Sequence, residues 1–214
     1  MYQTLKLSIL IMLAGSSVLF MSSFLIEENN NLTLSTEYTN ENKENSSCNN
    51  TSEGPVIEWE SDVKLKYSDF KADKKGSPGF AVATTASAFG YRIDDSGGEI
   101  SGSVFVVFYC NKSWWNRDYL LNKVLEHEQL HFDICELFGR KLYQEIIALR
   151  NSNRLTIKNI NKVYSKLDKQ YSNYQERYDE DTDHSTNGEQ QSLWNKKVKK
   201  QLAAMSRYSN YHKF

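Results

Sequence analysis

No proline follows Pro78, and the only other one, Pro55, also lies in the first half of this 214-residue chain. Proline breaks helix interiors because it lacks an amide hydrogen and clashes with the preceding turn. The second half is therefore free to form long helices, and its apolar residues recur at helical spacing. Leu120, Leu121, Val124, Leu125, His131, Cys135, Phe138, Leu142, Ile146 and Leu149 predict one long helix over about 116–150, with Ser113 as its N-cap. A second helix, over about 156–178, carries Ile160, Tyr164, Leu167, Tyr171, Tyr174 and Tyr178. These steps of four and three match the seam of a packed helical hairpin. A third helix, over about 189–205, shows Trp194, Val198, Leu202 and Met205.

The first half reads differently. "VIEWESDVKLKYSDF" suggests short strand pieces, "FAVATTASAFGYRI" is β-prone, and "DDSGGE" is a turn. In "ISGSVFVVFYC" Val104, Val106 and Phe108 fall on one face, with Phe105, Val107 and Tyr109 on the other. A strand apolar on both faces is covered on both sides. The expected class is α+β: a small antiparallel sheet over residues 56 to 110, then a long helix, an antiparallel partner helix and a C-terminal helix.

The ends stand apart. Leu7–Ile26 carries no charge, follows Lys6 and precedes Glu27 and Glu28. Residues 1–26 read as a signal peptide or an N-terminal membrane anchor, with the rest of the chain outside the cytoplasm. Residues 27–54 are rich in Asn, Ser, Thr and Glu and read as a disordered tether. That leaves 55–208 as the domain and 209–214 as a tail with an inert His212. A net charge of −1 gives no reason to expect a nucleic-acid partner. Of the three cysteines, Cys110 and Cys135 lie in the expected domain, as a bridged pair or as two buried thiols.

Chemistry is concentrated in "VLEHEQLHFDIC", residues 124 to 135. His127 and His131 are one helical turn apart, about 40° around the axis, so both imidazoles can converge on one ion. Glu128 projects beside that face. It suits a general base acting on water that a metal activates. The alternative is an ion-laced helix whose histidines pair with Glu126 or Glu128. A metzincin extension is absent, and Glu136 points about 140° away from His131. Asp133 points off the ligand face. Tyr178 and Arg140 are weak oxyanion candidates and more often core residues.

The residues Trp59, "SDF" at 68–70, "ATTAS" at 83–87, "SWW" at 113–115, "LEHEQLHFDI" at 125–134, "YDEDTDH" at 178–184 and Trp194 carry a resemblance. The chain resembles a bacterial domain-of-unknown-function family described as secreted zinc-dependent proteases. The resemblance implies a zincin-like fold and zinc held by His127, His131 and His184. The chain departs from the family pattern at Ser185, where glycine is expected after the third histidine. His184 also suits the third position because an antiparallel helix over about 156–178 returns residues near 180 to the level of His127. Asp179, Glu180, Asp181 and Asp183 are the substitutes.

The expected function is that of an exported zinc-dependent peptidase. Glu128 would be catalytic, His127, His131 and His184 would hold the metal, and a peptide or protein would be the substrate. The alternative is a non-enzymatic envelope protein with a structural zinc site or a partner-binding helical hairpin.

Overall fold

The computed structural model describes residues 46–73, 81–94 and 99–214, together with the backbone of Leu10–Ile11 and Phe20–Ser23. The strands are β1 (Leu10–Ile11), β2 (Phe20–Ser23), β3 (Asn49–Thr51), β4 (Gly54–Glu58), β5 (Ala81–Thr85), β6 (Ser87–Asp94), β7 (Ser101–Tyr109) and β8 (Trp114–Trp115). The helices are α1 (Asn122–Asn151), α2 (Ile157–Thr182) and α3 (Gly188–Ala204). The fold is α+β, as the sequence predicts. The expected single sheet is two antiparallel sheets, ordered β1-β6-β7-β4-β3 and β2-β5-β8. Apart from the backbone of β1 and β2, residues 1–26 lie outside the described residues. Among the described residues no helix is long and apolar enough to cross a membrane.

The sheets part at Ala86. Its amide donates to the Ser113 hydroxyl (2.9 Å) and its carbonyl accepts from the Tyr109 amide (2.8 Å). Ser113 is thus occupied in this corner and cannot cap α1. The helix starts later than expected, at Asn122, because Trp114 and Trp115 pair with Thr84 and Ala83 as β8. Thr156 caps α2, its hydroxyl accepting from the Asn159 amide (3.1 Å).

Helix α1 lies across β5, β6 and β7 and is flanked by α2 and α3. A Cβ on Gly139 would meet Val106 Cγ2 at 2.3 Å, so glycine there lets the helix approach β7 closely. Phe89 of β6 fills the layer between, meeting Phe138 of α1 and the rings of Tyr164 and Tyr171 from α2. The predicted stripe of α2 is buried at Ile160, Tyr164, Leu167, Tyr171 and Tyr178.

Three boundaries move. Order begins before Pro55, since β3 pairs with β4 and Cys48 is bridged to Cys110. The bridge is therefore not Cys110–Cys135. Cys135 is a buried free thiol, which burial pushes up to about 12. The tail at 209–214 is packed rather than frayed. Tyr211 and Phe214 are buried and their backbones bond to Val104 and Gly102 of β7, beyond the reach of β4. The Tyr211 hydroxyl donates to Glu136 (2.6 Å), which also accepts from Arg140 Nε (2.7 Å).

Reduction of Cys48–Cys110, which spans 62 residues, should lower the unfolding free energy by about 4 kcal/mol. The check is a lower urea midpoint in reductant, and an unchanged midpoint would count against the bridge. Burial pushes Glu136 up to about 7 from an ordinary 4.5, against the bonds from Tyr211 and Arg140. The folded chain then holds this proton more tightly than the unfolded chain between those values. Stability should therefore fall as pH rises through that window. Glu136→Gln should flatten that part of the melting-temperature profile.

Candidate metal centre

His127 and His131 face α2 from the middle of α1, and both are fully buried. Their Nε2 atoms are 3.1 Å apart. Asp179, in the last turn of α2, places Oδ1 3.0 Å from each of them. The outer nitrogens are bound too. His127 Nδ1 lies 3.1 Å from Gln191 Oε1 of α3, and His131 Nδ1 lies 2.8 Å from Gln175 Oε1 of α2.

The hydrogen-bond chains decide where the protons are. Gln175 Nε2 donates to the His131 carbonyl (3.0 Å), an acceptor only, so its amide oxygen must face the ring. His131 Nδ1 therefore carries a hydrogen. On the other side, Asn195 donates its Nδ2 to the Glu126 carboxylate, which leaves Asn195 Oδ1 to accept from Gln191 Nε2 (2.9 Å). Gln191 Oε1 then faces His127 Nδ1, which must donate as well. The Tyr178 hydroxyl donates to the same oxygen (2.8 Å), and its ring stacks on His127 at 4.5 Å.

Both Nε2 lone pairs thus point at each other and at a carboxylate oxygen. Three acceptors converge in a buried space, an arrangement that requires a positive charge among them. A proton is one answer. Burial alone would lower the His131 pKa, but the Asp179 charge and hydrogen bond, with the Glu128 charge, raise it to about 9. Burial likewise opposes the Asp179 charge, yet the His131 charge and the bonds from both imidazoles hold its carboxyl well below the usual range.

A metal ion is the other answer, and the geometry fits one. Zn–N bonds of about 2.0–2.1 Å give tetrahedral edges of about 3.3–3.4 Å, close to the spacing found. Among the described residues, His127, His131 and Asp179 form the group that can hold a metal ion.

The structure brings His127, His131 and Glu128 together, all fully buried. Asp179 completes the triangle. His184 sits alongside, with Nδ1 3.9 Å from Asp179 Oδ1. That nitrogen is buried and has no hydrogen-bond partner among the described residues. Asp183, His184 and Ser185 all have positive φ, at 47°, 48° and 80°. Ser185 thus occupies a conformation that favours glycine, the residue expected there from the family pattern. Arg140 is bound to Glu136, and Asp133 accepts from the Trp59 indole (2.9 Å).

Sequence reasoning missed Gln175 and Gln191. Each was signalled as a polar residue on an apolar stripe: Gln175 four residues after Tyr171, and Gln191 three before Trp194. A family model described as a bacterial protein of unknown function (DUF922) matches residues 111–185, the stretch that holds His127, His131, Asp179 and His184. The chain has no match among curated proteins or solved structures.

Titration of the metal-free chain with zinc should raise its melting temperature. His127→Ala, His131→Ala and Asp179→Asn should each abolish the rise. Gln175→Ala and Gln191→Ala should weaken binding by about 10–100-fold, because they free the rings to rotate. A wild-type chain whose melting temperature ignores zinc would remove the site.

Proposed function

We propose that the chain is an exported, zincin-like, zinc-dependent peptidase. The observation that carries this reading is the convergence of His127 Nε2, His131 Nε2 and Asp179 Oδ1 within 3.0–3.1 Å, beside Glu128 on the same helix. Imidazole nitrogen with carboxylate oxygen is a donor set that suits zinc. His127, His131 and Asp179 would hold the ion, with His184 Nδ1 the next donor in reach. When bound, zinc supplies Lewis acidity, polarising a carbonyl and making water more acidic.

The chain's own residues would do the rest. Glu128 follows His127 and projects about 100° around α1, next to the donors rather than among them. Its charge contributes to the raised pKa of His131, so it acts on the same buried space. From there Glu128 would take a proton from the attacking water and return it to the departing amine. Gln175 and Gln191 keep both Nε2 lone pairs on the metal side. The Tyr178 hydroxyl is spent on Gln191 and on the His127 carbonyl, so its role is to orient the ring. The Cys48–Cys110 bridge suits an oxidising compartment, in keeping with the uncharged run at Leu7–Ile26 as a leader or anchor.

One observation favours a second reading, a structural zinc site. The donors are buried, and none of the three main cavities, of about 790, 450 and 380 Å³, is lined by them. With His184 as a fourth donor the site would be closed, as structural sites are.

Glu128→Gln should keep its zinc and lose hydrolysis of an unfolded protein such as casein by at least about 100-fold. Metal analysis and turnover on the same preparation decide. Loss of zinc would make Glu128 a ligand, and retained turnover would overturn the peptidase reading. Wild-type chain that holds zinc and never cleaves would leave the structural reading.

A further inference from the structure

The outer edge of the ribbon formed by β5 and β6 is covered by the chain's own N-terminal apolar run. Phe20–Ser23 pairs antiparallel with β5, Phe20 opposite Thr85 and Ser23 opposite Ala81. Leu10–Ile11 pairs antiparallel with β6, opposite Ile93 and Arg92. From Leu10 to Phe20 the run advances ten residues while its partner retreats eight, from Ile93 to Thr85. The two pieces therefore keep one direction and nearly one register along a single edge.

That edge borders the candidate metal centre. The Thr85 hydroxyl, on the residue opposite Phe20, donates to the Glu128 carbonyl (3.3 Å). Strand β5 packs on α1, and β2 also touches α2, the helix that carries Asp179. A strand added to β5 thus lies one strand away from the turn that bears His127 and Glu128. An open edge offers a row of backbone N–H and C=O groups, which pair with any extended chain that reaches them.

We infer that the outer edge of β5 is a docking strand for an extended, uncharged peptide, and that Phe20–Ser23 is its resident occupant. The residues from Leu7 to Ile26 carry no charge, which sets the chemistry of what this edge accepts. While they remain joined to the domain they block the edge, and their removal as a leader opens it. What then happens to a docked peptide rests on the peptidase reading; the docking does not.

The test uses the full chain carrying Glu128→Gln, so that no peptide is consumed. In a second form Met21→Pro and Ser22→Pro are added, removing two amide hydrogens from the pairing strand. In a third, Met21→Asp places a charge in it. Hydrogen exchange is followed at Val82–Thr85 and along α1. A fluorescent peptide copying residues 17–26 is titrated into each form. The expected result is exchange at Val82–Thr85 about tenfold faster in the second and third forms, with α1 unchanged. The peptide should bind those forms at least about tenfold more tightly than the parent and restore protection at Val82–Thr85. Unchanged exchange, or equal binding to all three forms, would overturn the inference. Exchange that rises along α1 as well, without rescue by the peptide, would overturn it too. Neither measurement depends on catalysis, so its failure is distinct from the failure of the peptidase reading.

Discussion

Three buried electron-pair donors pointed at one another are repulsive until a positive charge sits among them. His127, His131 and Asp179 are in that state because the groups behind them leave no choice. Gln175 is oriented by the His131 carbonyl, and Gln191 is oriented through Asn195 by Glu126. Neither imidazole can turn its protonated nitrogen inward without breaking such a chain. The metal-free chain meets the demand with a proton, which is why His131 is raised to about 9 while Asp179 stays ionised. An ion that replaces the proton keeps every outer hydrogen bond.

The rest of the fold serves that convergence. Helix α1 supplies two donors and needs a firm bed, which the two sheets provide through the close approach at Gly139. Helix α2 supplies the third donor and one glutamine, and α3 the other. Their relative positions are set by aromatic contacts around Tyr178, which meets His127, His131 and Trp194. Trp194 in turn donates its indole hydrogen to Asp181 (3.0 Å), tying α3 to the end of α2. The centre is thus assembled from three helices, and no segment of α1 alone could form it.

Much of this was legible in the sequence. The helix stripes, the two-faced strand at Val104–Tyr109 and the pair His127 and His131 all rest on periodicity, which is a local property. What periodicity does not report is where one element ends against another. The late start of α1 follows from Trp114 and Trp115 pairing with β5, the bridge to Cys48 from a strand inside a polar stretch, and the packed tail from a gap beside β7. Each is a contact between distant residues. The third donor shows the same limit. A return of α2 to the level of His127 was readable from helix lengths, but whether Asp179 or His184 faces the ring nitrogens depends on the last helical turn. Because α2 runs on to Thr182, Asp179 stays on the inward face, four residues after Gln175.

The strained turn after α2 follows from that extension. Asp179 must remain helical to reach the imidazoles, yet the chain must reverse within a few residues to bring Gln191 behind His127. Asp183, His184 and Ser185 make the reversal in left-handed conformations, each of which costs a side-chain-bearing residue about 1 kcal/mol or more. Such a cost persists only where the surroundings compel it. Here the surroundings are the two ends of one hydrogen-bonded assembly: Asp179 before the turn, and Asn187, which caps α3 through the Gln190 amide (3.1 Å), after it. The turn also holds His184 with an unpartnered buried nitrogen at the edge of the donor triangle. A turn relaxed by glycine at Ser185 would free that ring to move. The tight one keeps a fourth donor close to the centre, and the number of donors that close on the ion is what separates a catalytic site from a structural one.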